Sequence, residues 1–448
     1  MKKTNKKTAL KFASAIVAFI LVLNFSLRAE AEQPKTGWKL GGLLPTITFD
    51  SDLGFQYGGL VNIFNFGDGS NSPNYTHSLY FEISRFTKGS GINRFFFDSD
   101  QVLKGIRTTF DLSYITDPLK SFYGFNGYQS TYNPAFIDSE STNYLTRAFY
   151  AYDWKMFRSK LDVQGKIGGG NFGWVSGFEL YNFKTGPVDI DKLNKGKDED
   201  LLPNVPGLYD RYVGWGFISN DEKNGGWVNY FKAGVSYDSR DNEANPMSGL
   251  WTEAVVMAAP GFLTTGNMGH ARLSFTHRQY FTLVPENLSL AYRINLQQNI
   301  SGKTPFYLQP LVITSFLRSN SSEGLGGSRT LRGILRNRIV GEGFALGNVE
   351  LRWKFLHFNI GSTNVYLGLN GFADAGMVTS RVDLNLTNLT PSDRVNFFSN
   401  VDEKPHLSAG LGLRIAINRN FIVAVDYGKA FDERDGTTGM YIGLNYLF

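Results

Sequence analysis

The chain contains no cysteine among its 448 residues. That excludes a disulfide framework, a cysteine-ligated metal centre and the thiol on which a bacterial lipoprotein anchor is built. Histidine is also scarce. The five histidines, at 77, 270, 277, 357 and 406, stand at no ligand spacing from one another, so each reads as a structural or surface residue. Beyond the first thirty residues no apolar run is long enough to span a bilayer as a helix, which takes roughly 20 residues. No nucleophile–histidine–acid set is apparent. The spacing Gly341-x-Gly343-x-x-x-Gly347 lacks the following helix of a nucleotide-binding loop. The reading is of a non-enzyme with no cofactor and no metal.

The N-terminus carries lysines at 2, 3, 6 and 7, an apolar stretch Phe12–Leu23 and the small-x-small site Ala29-Glu30-Ala31. This is the pattern of a secretory signal peptide, residues 1–31, with an uncleaved anchor as the alternative. The segment holds six basic residues and one acid, so its removal cancels the net charge of +5. The basic balance therefore gives no support to a nucleic-acid partner.

What the chain has in quantity is aromatic residues, at 15%, and 49 glycines. Ser408–Ile417 reads SAGLGLRIAI, with Ala409, Leu411, Leu413, Ile415 and Ile417 on one face of a period-2 pattern. Phe421–Gly428 repeats the pattern after the short turn NRN. At the end Met440, Ile442, Leu444, Tyr446 and Phe448 share a face opposite Tyr441, Gly443, Asn445 and Leu447. A final strand ending on Phe448 resembles the assembly signal of outer-membrane barrels; the alternative is the last strand of a soluble sandwich.

Alternating long and short connections, counted back from Phe448, predict an all-β fold: a 16-stranded antiparallel transmembrane β-barrel over 32–448. The strands are expected near 43–50, 53–65, 77–87, 93–102, 105–115, 143–157, 159–173, 227–241, 249–259, 270–283, 288–299, 347–355, 364–378, 406–417, 421–430 and 439–448. This count assigns the apolar stretch Phe306–Leu317 to the outer connection 300–346. An apolar outer loop that also bears arginines is expected to fold back into a dry interior. The charged stretch 191–200 falls in the longest outer loop, 179–226, and reads as solvated surface.

Leu331-Arg332-Gly333-Ile334, preceded by Gly326-Gly327-Ser328, resembles the arginine-glycine loop of the BamA/TamA and two-partner-secretion transporter superfamily, the bacterial surface antigen type of barrel. Tyr237-Asp238-Ser239-Arg240-Asp241 with Asn245-Pro246 and Gly249 resembles its aspartate-arginine-aspartate turn. Gly347–Arg352 resembles its strand twelve, and Phe372-Ala373-Asp374-Ala375-Gly376 its strand-thirteen motif. Two departures stand out. Ile334 occupies a position that is usually aromatic, and about a dozen residues separate Ala31 from the first expected strand, as in a barrel-only member without POTRA modules.

Strand parity turns Phe372, Asp374 and Gly376 to one side, and Glu350 and Arg352 inward while Val349, Leu351 and Trp353 face lipid. An arginine on an infolded loop can form two parallel charge-assisted hydrogen bonds with such a carboxylate. Arg332–Asp374 is the expected pair, Glu350 a second acceptor, and Gly333 the residue that lets the loop turn tightly beside the wall. Arg329, Arg336 and Arg338 stay unassigned; the competing reading is a solvated loop whose arginines meet lipopolysaccharide phosphates.

The resemblance implies assembly of outer-membrane proteins, or protein translocation, in the bacterial outer membrane after export. The implied partners are outer-membrane lipids, unfolded outer-membrane or secreted proteins, and periplasmic or lipoprotein accessory subunits. A seam between the first and last strands is expected to open, weakened by Pro45 in the one and Gly443 in the other. The alternatives are a closed accessory or structural barrel of an envelope complex, and a passive pore or barrel hydrolase.

Overall fold

The computed structural model describes residues 35–448 apart from 71, 73, 244, 314–323, 362 and 418–420. The expected signal segment 1–31, the turn 418–420 and the part of Phe306–Leu317 beyond Ile313 lie outside the described residues. The strands are β1 (Trp38–Asp50), β2 (Gly54–Asn65), β3 (His77–Phe86), β4 (Gly91–Leu103), β5 (Ile106–Ser121), β6 (Ala151–Lys166), β7 (Phe172–Gly186) and β8 (Gly225–Asp238). They continue with β9 (Gly249–Ala259), β10 (His270–Val284), β11 (Leu288–Gly302), β12 (Gly343–Ile360), β13 (Thr363–Ser380), β14 (His406–Ile417), β15 (Phe421–Ala430) and β16 (Thr438–Leu444). Each pairs antiparallel with its sequence neighbours, and β16 returns to β1, closing a sixteen-stranded barrel.

Alternation builds this wall. In β14, Leu407, Leu411 and Leu413 are exposed on the outside while Ser408 and Arg414 are buried on the inside. In β12, Val349, Leu351 and Trp353 face out and Asn348, Glu350 and Arg352 face in. Side chains one residue apart point to opposite faces, so each strand offers lipid an apolar row and keeps its polar row in the lumen.

Two strands depart from expectation. In place of 143–157 and 159–173 the chain forms β6 and β7 several residues later. Arg158, Lys160 and Asp162 do not mark a break; all three are inward residues of one continuous strand, with Arg158 2.7 Å from Asp111 and Lys160 3.0 Å from Asp162. The turn lies instead at 167–171, where Gly168 adopts a φ of +66°. The first strand also begins earlier, at Trp38, and the last stops at Leu444 rather than Phe448.

The long connections gather at the end of the barrel opposite the first and last residues of the wall, the extracellular end by barrel convention. Here the connections 122–150, 187–224, 303–342 and 381–405 pack into an aromatic lid containing Phe125, Phe149, Tyr212, Tyr307 and Phe398, all buried. Tyr212 meets Phe122 and Phe125 edge-on at 5.1 and 5.4 Å. The apolar start of the 303–342 connection, Phe306–Leu308, belongs to this lid.

This sidedness has a direct readout. An epitope inserted at Gly196, in the exposed connection after β7, should be reached by antibody on intact cells. The same epitope in the 285–287 turn should be reached only after the outer membrane is permeabilised. Reversed labelling would invert the barrel.

Candidate functional site

Residues 324–340 leave the lid and run down inside the barrel. Leu325, Leu331, Ile334 and Ile339 bury themselves against Phe344 and Leu346 of β12, Val378 of β13 and Ala430 of β15. Ile334 is 1% exposed in this cluster, so an aliphatic side chain fills its place. Burial of four aliphatic side chains supplies the affinity of the loop for the wall, and the polar groups fix its register.

Arg332 makes the central contact. Its Nε and Nη2 each donate to a different oxygen of Asp374 at 2.9 Å, and its backbone N–H donates to the same carboxylate at 3.0 Å. Nη1 donates to Glu350 Oε1 at 2.7 Å. The guanidinium carbon lies 3.5 Å from the centroid of Phe372, a cation–π stack. Asp426 of β15 stands 3.6 Å away. This is a fork–fork pair with a second acceptor and an aromatic floor, which an ammonium group could not reproduce.

Glycines admit the loop. Gly333 has a φ of +93°, and a Cβ there would fall 2.5 Å from the Gly428 carbonyl carbon, while a Cβ on Gly428 would fall 2.5 Å from Arg332 O. Loop and wall meet backbone to backbone at that point. A Cβ on Gly376 would come within 2.9 Å of Leu331 and 3.0 Å of Leu325. The Gly333 N–H donates to the Tyr441 hydroxyl of β16 at 3.1 Å.

Several partners escaped the sequence reading. Asn348 donates to Asp374 Oδ1 at 2.8 Å and to the Thr330 carbonyl at 2.7 Å; it shares the inward parity of Glu350 and Arg352. Arg336 meets Asp117 of β5 at 2.7 Å, and Arg338 donates to the carbonyls of Gly127, Ser130 and Arg434. These arginines tie the loop to the opposite wall and to the lid. The remaining motif residues lie elsewhere. Asp238 and Arg240 form a two-bond pair at 2.9 and 2.8 Å, and Asp241 accepts the Met247 N–H at 3.0 Å, all at the periplasmic turn after β8.

The seam differs from its expected form. Among the described residues β1 and β16 are in register only at Phe49 opposite Ile442 and Asp50 opposite Tyr441. Ser51 adds three hydrogen bonds to Met440, two of them through its hydroxyl. Pro45 pairs with Gly59 of β2 and Gly443 with Ala424 of β15, and they do not meet each other. Phe448 is not on the wall; it lies buried in the lumen with its carbonyl 2.8 Å from Arg352 Nη2. At the top of the seam, burial and then the neighbouring Asp50 charge push the Asp52 carboxyl up to about 7.

Removing one member of a buried ion pair strands the other, at a cost of about 3–5 kcal/mol. Arg332→Ala or Asp374→Ala should therefore free residues 324–340 from the wall, raising their cleavage in limited proteolysis and the single-channel conductance. Arg332→Lys should resemble Arg332→Ala, since the planar fork is lost. Wild-type proteolysis and conductance in both alanine variants would show that this pair does not hold the loop.

The described residues thus form one closed barrel with an arginine loop held against its inner wall. Among solved structures, BamA from Haemophilus ducreyi lacking POTRA domains 1-3 aligns with a TM-score of 0.54 at 15% identity, over 92% of this chain and 71% of that one. CdiB from Escherichia coli aligns with a TM-score of 0.52 at 11% identity, over 93% of this chain and 64% of that one. At such identities the likeness is one of fold. No curated protein sequence matches the chain. The family model of the Omp85 superfamily domain matches residues 77–448, and with the four ordered motifs and the sixteen-stranded barrel in agreement, the chain belongs to the Omp85 superfamily.

Proposed function

We propose that this barrel assembles or translocates polypeptides at the bacterial outer membrane through the seam between β1 and β16, with the Arg332 loop as an internal latch. The observation that carries the reading is the seam itself. β15 and β16 stay in register from Val423–Leu444 to Lys429–Thr438, whereas β1 has no strand partner beside Trp38–Thr48 on its β16 side among the described residues. Its outward side chains there include Leu40 and Leu43, 67% and 72% exposed.

A free edge in lipid is costly, because no water is present to satisfy its N–H and C=O groups. An incoming β-strand satisfies them by adding to the sheet. The substrates would be unfolded outer-membrane or secreted proteins, and the work would come from strand pairing and lipid burial, with no cofactor. Periplasmic or lipoprotein subunits would deliver these chains. A passive pore fits less well, since the lumen holds the loop 324–340 and the lid closes over it.

The absence of cysteine makes the test clean. Phe49→Cys with Ile442→Cys places a disulfide across the one part of the seam that is paired. Oxidation should abolish assembly of client proteins in cells and in proteoliposomes, and reduction should restore it. Full function of the crosslinked barrel would instead favour a closed accessory subunit.

A further inference from the structure

One cation in the upper lumen has no carboxylate of its own. Arg272, an inward residue of β10 just below the lid, is 2% exposed. Its Nη1 donates to the Leu308 carbonyl at 3.0 Å, which pins the root of the 303–342 connection to the wall. Its Nε has no protein acceptor, and among the described residues it joins no ion pair. An uncompensated charge in a dry interior is strongly unfavourable.

Arg272 lines a cavity of about 30 Å³, and Arg158, Lys160 and Glu179 line it too. The carboxylates here are already committed. Asp111 is shared by Arg94 and Arg158, at 2.6 and 2.7 Å, and Asp162 by Lys160 and Lys232, at 3.0 and 2.6 Å. Glu179 accepts from Lys232 on Oε1 at 2.8 Å and from the Tyr181 hydroxyl on Oε2 at 2.7 Å. Three cations and one occupied carboxylate therefore face the space, and Met156, Met257 and Leu311 form its apolar side. Its volume matches about two waters or one monatomic anion, and is too small for phosphate or sulfate. Water could accept from Nε, but only an anion also balances the charge.

We propose that this cavity is a halide site: one chloride ion, held by Arg272 with Arg158 and Lys160 around it, balances the guanidinium and fastens Leu308–Ile313 to the wall. The site does not depend on how the seam behaves. Its purpose lies in the segment it touches, the root from which the arginine loop descends. Ser274 donates to the Ile313 carbonyl at 3.2 Å, Gln297 to the Leu311 carbonyl at 2.8 Å, and the Ile313 N–H to Gln297 at 2.7 Å. The connection is then fixed twice, near its root by a bound ion and further along by the carboxylates that hold Arg332.

Heat unfolding of the full-length barrel in lipid vesicles tests the site. Chloride replaces gluconate, which is too large for the cavity, at constant ionic strength. The midpoint should rise with chloride by about 2 °C per tenfold once the site fills, and bromide should act alike. Arg272→Met removes the charge at similar length. Its midpoint in gluconate should equal or exceed that of the wild type, and its dependence on chloride should vanish. A role for Arg272 confined to the Leu308 hydrogen bond would instead lower the midpoint in both salts and leave the slope intact. Leu311→Phe, which fills the cavity and leaves every charge in place, should also abolish the slope. A crystal grown in bromide should show an anomalous peak beside the Arg272 guanidinium. A wild-type midpoint indifferent to chloride, an equal slope in Arg272→Met, or a bromide crystal without that peak would overturn the proposal.

Discussion

A sheet in lipid cannot leave backbone groups unpaired, because no water is there to take the place of a missing strand. The architecture of this chain follows from that constraint. Sixteen strands exist to remove the edges that fewer elements, left open, would present. The polar rows turn inward because the outward rows face hydrocarbon. Once the wall is closed, its lumen is a low-dielectric space lined with charges, and each charge then needs a partner. Arg158 with Asp111, Lys232 with Glu179 and Arg414 with Asp426 meet that need between neighbouring strands.

Asp374 is satisfied in a different way, by a cation from a loop, and Glu350 divides its two oxygens between that cation and Arg352 of its own strand. This makes the position of residues 324–340 an electrostatic requirement of the wall as well as a hydrophobic one. The loop also touches the seam strand β16 through the Gly333 N–H on Tyr441, and the connection before that strand through the Leu335 N–H on the Asp435 carbonyl. The least paired junction of the barrel is thus in contact with its most heavily charged interior element.

Much of this was legible in the residues. Period-2 alternation and the alternation of long and short connections put fourteen of the sixteen strands near their places, and inward parity singled out Asp374 and Glu350 as the carboxylates that Arg332 meets. Asn348 could have been found by the same parity. Tyr441, Asp117 and Asp426 could not, because barrel closure brings them to the loop from strands far away in sequence. The strands β6 and β7 were misplaced because charges at 158, 160 and 162 interrupt hydropathy without interrupting the strand. The end of the chain misled for another reason. Its alternation describes a place on the wall, while arginines of β11 and β12, distant in sequence, hold Phe448 in the lumen.

The wall is also uneven in height. β12 and β13 have 18 residues each, and β16 has 7. At ~3.4 Å per residue and a tilt of about 40°, β16 rises roughly 18 Å, short of the ~25 Å apolar band of an outer-membrane barrel. The long strands lie a quarter-turn away on the same barrel. Lipid that fits β12 and β13 is too thick beside β16, so the leaflets there must draw together or bring headgroups inward, at a fraction of a kcal/mol per ångström of mismatch. The bilayer is therefore locally strained, and its hydrocarbon barrier thinnest, along the one line where the barrel wall is least complete.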